Sequence, residues 1–309
     1  MPWDPARLPA LTGRTFVVTG ATAGIGYFAA EQLAAAGARV VLTARSAPKG
    51  ERVLQTLRDT VPGAEASVVG LDLASLASVR RAADELARLP RIDGMFLNGG
   101  SMAMGRSEVT DDGLPMMLGT HTVAAFALVA SVLPALATTG REQGTVPRVV
   151  HASTGFVARA KARVDDVAAV PRTAIAAYVK AKTVTEVFAF ELDRRLRAQG
   201  LPVASIVSRP GVGVDAKTPE RAGVRDATTP YQRNPSTPWA QGKDTAAWSG
   251  VRALSDPEAR GGEYYAPTGA LRGRPVRIAP LPRTAAPDGD LAARVWGQLE
   301  ALAGAELAV

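Results

Sequence analysis

A tyrosine and a lysine stand four residues apart in the segment AAYVKAK, at positions 178 and 182. On a helix, residues four apart share one face, so the two side chains can reach each other. A phenol beside an ammonium group is stabilised in its charged form, which lowers its pKa from the usual value of about 10. Tyr178 with Lys182 is therefore a candidate proton donor and acceptor, tuned towards neutral pH.

A glycine-rich turn follows the first apolar run of the chain. The stretch TGATAGIG places Gly20, Gly24 and Gly26 between a predicted strand and a predicted helix. Such a turn lets the backbone approach a pyrophosphate, which then lies on the helix N-terminus. The spacing differs from the usual G-x-G-x-x-G, and glycine trios also serve ordinary tight turns. The strand–turn–helix context nevertheless indicates nucleotide binding.

Arg45 ends the second predicted strand, in the segment LTARS. In dinucleotide-binding folds an acidic residue near this point binds the ribose 2′-hydroxyl, whereas an arginine accommodates a 2′-phosphate. No acid is present here, so the sequence favours NADP(H) over NAD(H). The alternative is an ordinary surface arginine that follows a strand.

The composition argues against several other kinds of protein and site. The 309 residues contain no cysteine and two histidines, which excludes disulfides and thiolate nucleophiles and argues against a metal site. The net charge of +7 comes mostly from scattered arginines, a pattern that does not indicate nucleic-acid binding. The first residues lack the apolar core of a signal peptide, and the apolar run at 123–137 is shorter than a membrane span. We therefore expect a cytoplasmic protein without a membrane partner.

Apolar runs that are typical of strands alternate with alanine-rich helical segments. Strands are predicted at residues 14–20, 38–44, 66–73, 93–99, 147–153, 203–209 and 263–267. Helices are predicted at residues 25–36, 50–59, 75–89, 112–138, 173–199, 239–255 and 290–303. This alternation predicts one doubly wound, Rossmann-type α/β domain over residues 1–309, with a mostly parallel seven-stranded sheet. The polar segment 213–242 is long for a connection and is expected to be a substrate lid.

Several motifs in order resemble the short-chain dehydrogenase/reductase family. They are TGATAGIG, GLDL at residues 70–73, LNGG at residues 97–100, and the Tyr178–Lys182 pair. The segments DGLPMMLGTHTVAAF and RVVHAST are similar to the retinol-dehydrogenase-like and carbonyl-reductase-like branch. The match in order and approximate spacing extends along the whole chain.

The resemblance implies a role for each matching residue. Tyr178 would be the general acid and base, and Lys182 would lower its pKa and hold the nicotinamide ribose. The NADP(H)-binding residues would be Gly20, Thr22, Ala23, Gly24, Ile25, Gly26, Arg45, Asp72, Leu73, Asn98, Gly99, Gly100, Tyr178, Lys182, Pro210, Gly211 and Val212. The partner would be a small carbonyl or alcohol substrate. The fourth and fifth helices are the family's usual dimer surface, which leaves a homodimer open.

Two positions depart from the family pattern. The family's catalytic serine falls on Thr154, with Ser153 directly before it, and either hydroxyl could bind a substrate carbonyl. The family's asparagine in the long fourth helix is replaced by His121. That imidazole could join a proton relay, face the substrate or simply fill the core.

The favoured function is an NADPH-dependent reductase, or the reverse dehydrogenase, acting on a ketone or aldehyde. In the lid, Tyr231 and Trp239 would suit a bulky or lipophilic substrate, whereas Arg221, Arg225 and Arg233 would suit an acidic one. A second hypothesis keeps the cofactor but has redox-neutral chemistry, such as dehydration, epimerisation or cyclisation. A third is a nucleotide-binding sensor without turnover, which would have no need of a tuned phenol.

Overall fold

The computed structural model describes residues 3–101 and 108–309. Within them, strands form at β1 (Thr15–Val18), β2 (Arg39–Ala44), β3 (Ala66–Gly70), β4 (Gly94–Leu97), β5 (Arg148–Ala152), β6 (Ala204–Ser208), β7 (Tyr264–Pro267) and β8 (Pro275–Ile278). Their order in the sheet is β3-β2-β1-β4-β5-β6-β7-β8. All neighbouring pairs are parallel except β7 with β8, which is antiparallel. The doubly wound α/β fold is thus confirmed.

The helices lie between the strands. They are α1 (Gly24–Ala35), α2 (Ala47–Thr60), α3 (Leu76–Ala87), α4 (Met116–Leu118), α5 (Ala124–Gln143), α6 (Phe156–Arg159), α7 (Ala174–Ala198), α8 (Lys243–Ala246), α9 (Trp248–Ser255), α10 (Pro282–Ala285) and α11 (Leu291–Ala303). A π-helical turn at Gly119–Val123 joins α4 to α5, and short 3₁₀ turns form at Asp215–Lys217 and Thr237–Trp239.

The two faces of the sheet are covered by different helices. Along β1, Val17 belongs to a core shared with α3, α5, α7 and α11, whereas Phe16 and Val18 belong to a core shared with α1, α2 and α9. Successive side chains of a strand point to opposite faces, so a continuous apolar run is needed when both faces are buried. This explains why the strands showed no polar alternation.

The structure corrects three of the predicted elements. The sheet has eight strands because Pro275–Ile278, a short segment among glycines, arginines and prolines, adds an antiparallel edge to β7. The helix predicted at 112–138 begins at Met116, widens into the π turn and ends at Gln143. The helix predicted at 239–255 is two helices, α8 and α9.

The segment Met116–Gln143 is longer than the apolar run seen in the sequence. It has 28 residues, and its most apolar 18-residue stretch has a mean hydropathy of 1.9, which is enough by length and composition to cross a membrane. In the structure 72% of the most apolar stretch is buried inside the protein. Its Phe126 packs on Phe188 of α7 and Trp296 of α11, as expected of a core helix.

Candidate active site

Helix α7 presents three polar residues on one buried face. Thr173 caps its N-terminus by accepting a hydrogen bond from the Ala176 N–H at 3.2 Å. Tyr178, Lys182 and Glu186 then follow at intervals of four residues, which places them in one row along the helix. This row runs beside the carboxyl end of β5.

Lys182 is buried and bonded to the main chain. Its Nζ donates to the Ala152 carbonyl oxygen at 2.6 Å, at the end of β5. Burial lowers the pKa of Lys182 to about 7, and the negative charge of Glu186 partly offsets that fall. A lysine in this environment exchanges its proton near neutrality.

Tyr178 differs from the expectation that Lys182 lowers its pKa. Burial raises the pKa of the phenol, and a hydrogen bond with the Thr154 side chain counteracts part of that rise. The lysine ammonium instead bonds to the Ala152 carbonyl. The shared helix face therefore brings the two residues together without the predicted shift in the phenol's pKa.

The two adjacent hydroxyls at the end of β5 have different partners. The Thr154 side chain is near enough to Tyr178 to lower the pKa of the phenol. Ser153 is buried and donates to Glu186 Oε1 at 2.5 Å. Only Thr154 therefore meets the phenol, because consecutive residues at a strand end point to opposite sides.

Glu186 is a fully buried acid that the sequence reading did not single out. Besides Ser153, the Tyr264 hydroxyl donates to its Oε1 at 2.8 Å and the Thr284 hydroxyl donates to its Oε2 at 2.9 Å. Burial raises the pKa of Glu186, and these three hydrogen bonds lower it in part. A signal was present in the sequence, since Glu186 lies one turn beyond Lys182 and is the only charged residue in the stretch 183–190.

His121 lies in the π turn and packs edge-on against Tyr178, with ring centroids 5.5 Å apart. Its Nε2 donates to the Ser101 carbonyl at 3.1 Å, which leaves the buried Nδ1 without a hydrogen-bond partner in the described residues. Burial, followed by the nearby Lys182 charge, holds the pKa of His121 well below its usual value. This environment therefore favours the neutral form of the imidazole.

Gly100 fits flat against this imidazole. A Cβ added at Gly100 would overlap the Cε1 and Nδ1 atoms of His121. The other histidine, His151, is deeper in β5, where its Nε2 meets the Ser205 hydroxyl at 3.1 Å and burial lowers its pKa to about 3. Of the two histidines, only His121 contacts the tyrosine.

The glycine-rich turn has no room for side chains. A Cβ at Gly20 would lie 2.8 Å from the Gly99 Cα, and one at Gly26 would meet the Gly20 carbonyl oxygen. Gly20 also has φ +64°, a left-handed conformation that favours glycine. Thr19 Oγ1 accepts the N–H groups of Asn98 and Gly99 at 3.0 and 2.9 Å, which ties the turn to the end of β4.

This turn fits the pyrophosphate of a dinucleotide. No side chain among the described residues caps the N-terminus of α1, so its first backbone N–H groups point into the cradle between β1 and β4. The sheet order changes direction at this point, where open α/β sheets bind ligands. The remaining predicted residues of this turn are part of the same loop and first helical turn: Thr22, Ala23, Gly24 and Ile25.

The residues predicted at the adenosine end follow β2 and β3. Arg45 is exposed directly after β2, and its guanidinium has no hydrogen bond or ion pair to any residue within 3–101 or 108–309. Asp72 accepts the Ala74 N–H at 2.9 Å, which shapes the turn before α3. Leu73 packs on Gly99, where an added Cβ would lie 2.6 Å from its Cδ1.

The Pro210–Gly211–Val212 turn after β6 is fixed by a glutamine that the sequence reading missed. Gln241 Nε2 donates to the Pro210 carbonyl at 2.8 Å, and its backbone N–H donates to the Val212 carbonyl at 3.0 Å. Gly211 has φ +72° and would meet the Leu271 carbonyl if it carried a Cβ. Gln241 lies 31 residues beyond Pro210 in the chain, so no local pattern identifies it.

The segment 213–242 packs partly against the helices on the adenosine side. Arg221 forms a two-pronged ion pair with Glu31 of α1 at 2.6 and 2.9 Å. The Ala222 carbonyl accepts from Thr56 of α2 at 2.8 Å. Two of its large apolar residues, Tyr231 and Trp239, are exposed.

An apolar cavity lies beside the first turns of α7. It is lined largely by the α4 region, the loop before α7 and the first turns of α7, including Met116, Met117, Val170, Ala174, Ala177 and Ala181. Met117 and Ala181 form a small buried cluster against which Tyr178 packs. The cavity is therefore bounded by residues on which Tyr178 packs, and its lining is mostly apolar.

Comparison with known proteins agrees with this geometry. A family model described as short chain dehydrogenase matches residues 14–219. Polyprenol dehydrogenase of Mus musculus is 33% identical over 306 residues, which cover 97% of this chain and 87% of the mouse protein. This similarity extends beyond the sheet into the C-terminal helices.

Solved structures share the fold. An uncharacterized protein from Mycobacterium paratuberculosis matches with a TM-score of 0.79 and 28% identity over the full length of both chains. A protein described as a short chain dehydrogenase, from Escherichia coli CFT073 in complex with NADPH, matches with a TM-score of 0.63 and 22% identity, covering 84% of this chain and 98% of the other. The chain thus belongs to the short-chain dehydrogenase/reductase family of oxidoreductases, in its retinol-dehydrogenase-like branch.

Proposed function

We propose that this protein is an NADP(H)-dependent oxidoreductase that interconverts an alcohol and a carbonyl on an apolar substrate. The observation that carries the proposal is the row of Tyr178 and Lys182 on α7 beside the end of β5, where the Lys182 Nζ donates to the Ala152 carbonyl and the Thr154 side chain lowers the pKa of the phenol in part. A hydroxyl pair beside a glycine cradle and an apolar cavity can bind a carbonyl oxygen and supply it with a proton.

In reduction, the Tyr178 hydroxyl gives its proton to the substrate oxygen; in oxidation, the same oxygen takes the proton back. Thr154 donates a hydrogen bond that orients the substrate oxygen towards the phenol. The bound cofactor supplies the hydride and, in its oxidised form, a positively charged ring. In reduction, Lys182 supplies the proton that replaces the one Tyr178 gives to the substrate, since burial brings the pKa of the lysine to about 7.

The preference for NADP(H) rests on Arg45. Its guanidinium is exposed after β2 with no acidic partner among the described residues, as a 2′-phosphate requires. The Escherichia coli structure with the same fold was solved with NADPH, which supports this choice.

An apolar substrate is favoured over an acidic one. The cavity beside the first turns of α7, which shares Met117 and Ala181 with the cluster that Tyr178 packs on, is lined largely by methionine, valine and alanine side chains. Of the lid arginines that could meet an acid, Arg221 is paired with Glu31, and Arg225 packs over the Tyr231 ring. The mouse relative is named polyprenol dehydrogenase, and a polyprenol is a lipophilic alcohol.

We also propose that residues 213–242 cover the substrate site, with Tyr231 and Trp239 as their apolar contacts. A cytoplasmic location and a homodimer remain predictions from the sequence.

Oxidation of NADPH with a panel of carbonyl compounds tests the proposed function. The panel contains short and long apolar aldehydes and ketones, together with keto acids of equal length. We expect turnover that increases with apolar chain length and is weak with the keto acids. The corresponding alcohols with NADP⁺ test the reverse reaction. Binding of NADPH with no turnover in either direction would instead favour the sensor hypothesis.

A further inference from the structure

Lys243, the first residue of α8, lies between the two turns that a bound dinucleotide must bridge. On one side, a Cβ added at Gly24 would be 3.4 Å from the Lys243 Cδ. On the other side, a Cβ added at Gly213, just after the Pro-Gly turn, would be 3.2 Å from the Lys243 Cγ. The stem of the lysine thus spans the gap between the glycine-rich turn and the turn that follows β6.

The position of this lysine is fixed from several directions. Its backbone N–H donates to the Thr218 hydroxyl at 2.9 Å. The next residue, Asp244, offers its carbonyl to Gln32 Nε2 at 2.8 Å, which joins α8 to α1. The start of α8 is therefore tied to the same helix whose N-terminus forms the cradle.

The ammonium group has one acidic partner. Lys243 Nζ lies 2.5 Å from Asp215 Oδ1. The Lys243 side chain is 24% exposed and the Asp215 side chain is 4% exposed. Asp215 also accepts the Gln232 N–H at 3.0 Å through Oδ2. A buried carboxylate near an anionic ligand is repulsive unless a cation neutralises it, and Lys243 does so here.

We propose that Lys243 is a cofactor-binding residue whose ammonium binds the pyrophosphate, sharing its charge between that group and Asp215. The inference rests on the proposed function and deepens it. An ammonium beside an uncapped helix N-terminus would give the pyrophosphate a charge-assisted hydrogen bond in addition to those from the backbone N–H groups. Arg45 serves the 2′-phosphate, so the two cations read different parts of the cofactor.

The ion pair also links the cofactor to the proposed lid. Asp215 is part of the segment 213–242, and its contacts with Gln232 reach into the middle of that segment. When the ammonium turns towards the pyrophosphate, Asp215 loses part of its counter-charge. Binding of the cofactor is thereby coupled to the 213–242 segment.

The test is direct titration of the protein with NADPH and NADH, followed by fluorescence. Lys243→Met removes the charge and keeps the aliphatic part of the side chain, so we expect the Kd of each cofactor to rise about tenfold or more. The factor should be the same for NADPH and NADH, because both carry the pyrophosphate. Lys243→Arg should restore most of the affinity. Asp215→Asn should tighten binding of both cofactors, because it frees the ammonium group.

Lys217→Met is the matched control. This lysine belongs to the same segment, but its Nζ donates to the Pro238 and Ala240 carbonyls and does not pair with Asp215. We expect its Kd values to equal those of the unmodified protein. If Lys217→Met lost as much cofactor affinity as Lys243→Met, the loss would reflect the net charge of the protein and not a contact made by Lys243.

Three further results would overturn the inference. Equal Kd values for Lys243→Met and the unmodified protein would remove Lys243 from the site. Weakening by Asp215→Asn as large as that by Lys243→Met would make the ion pair structural only. An unmodified protein that binds neither cofactor would overturn the proposed function as well, which distinguishes the two failures.

Discussion

The Ser153 hydroxyl donates a 2.5 Å hydrogen bond to the buried carboxyl group of Glu186. This contact decides which of two adjacent hydroxyls can act at the tyrosine, because it turns Ser153 away and leaves Thr154 to meet Tyr178. It also explains how a glutamate is accommodated in the interior, where three hydroxyl donors replace water.

We expect the two hydroxyl variants to affect different properties, kcat for Thr154 and stability for Ser153. Thr154→Val keeps the branched shape but removes the donor to the substrate oxygen, so kcat should fall about 100-fold with little change in stability. Ser153→Ala leaves a buried carboxyl oxygen with one donor fewer and should cost about 1–3 kcal/mol of unfolding free energy. Steady-state kinetics and urea denaturation separate these outcomes. A larger loss of kcat in Ser153→Ala would reverse the assignment.

Glu186 should make stability depend on pH. Burial raises its pKa in the folded state, so the unfolded chain loses this proton first as the pH rises past the usual glutamate value of about 4.3. Ionisation of this group therefore favours unfolding, and its stabilising contribution is lost as the pH rises through the raised folded value. Glu186→Gln should remove this decline, as measured by urea denaturation from pH 4 to 8.

The control for this variant is Glu65→Gln, which removes a carboxylate from an exposed ion pair with Arg39. Its stability curve should keep the shape of the unmodified protein's curve. A Glu186→Gln curve of the same shape would show that Glu186 has no part in the pH dependence.

Gly100 and His121 should be coupled. Gly100→Ala forces the imidazole to move and should destabilise the protein by about 1–3 kcal/mol, because overpacking a well-filled site is costly. His121→Asn removes the ring atoms that the new methyl group would meet, so the double variant should recover part of the loss. A double-mutant cycle measures this coupling. Strict additivity of the two changes would contradict the contact.

Arg45→Ala should change the choice of cofactor. We expect the Kd of NADPH to rise about tenfold, with little change for NADH, because only NADPH carries the 2′-phosphate. Arg39→Ala, at the opposite end of β2, is the control and should leave both values unchanged. An equal loss for both cofactors in Arg45→Ala would remove the basis for NADP(H) preference.

Local patterns in the sequence were enough to predict the sheet, the glycine turn and the row of Tyr178 and Lys182 on α7. Each depends on residues close together in the chain: apolar runs for buried strands, glycines at a strand–helix junction, and a spacing of four on a helix. The edge strand β8 was missed because its four residues have neither a long apolar run nor a clear alternation.

The site details depend on contacts between distant parts of the chain. The choice between Ser153 and Thr154 follows from Glu186, Tyr264 and Thr284, which span nearly 100 residues. Spacing alone could not predict the direction of the Tyr178 pKa, because burial outweighs the proximity of a lysine whose ammonium bonds elsewhere. Gln241, likewise, reaches its turn only after the chain has folded.

The most direct test of the central claim is Tyr178→Phe, which removes one oxygen atom. If Tyr178 transfers the proton, NADPH-dependent turnover of the best carbonyl substrate should fall at least 100-fold, while the Kd of NADPH changes less than about threefold. Turnover in Tyr178→Phe within a few-fold of that of the unmodified protein would contradict the assignment of Tyr178 as the acid and base.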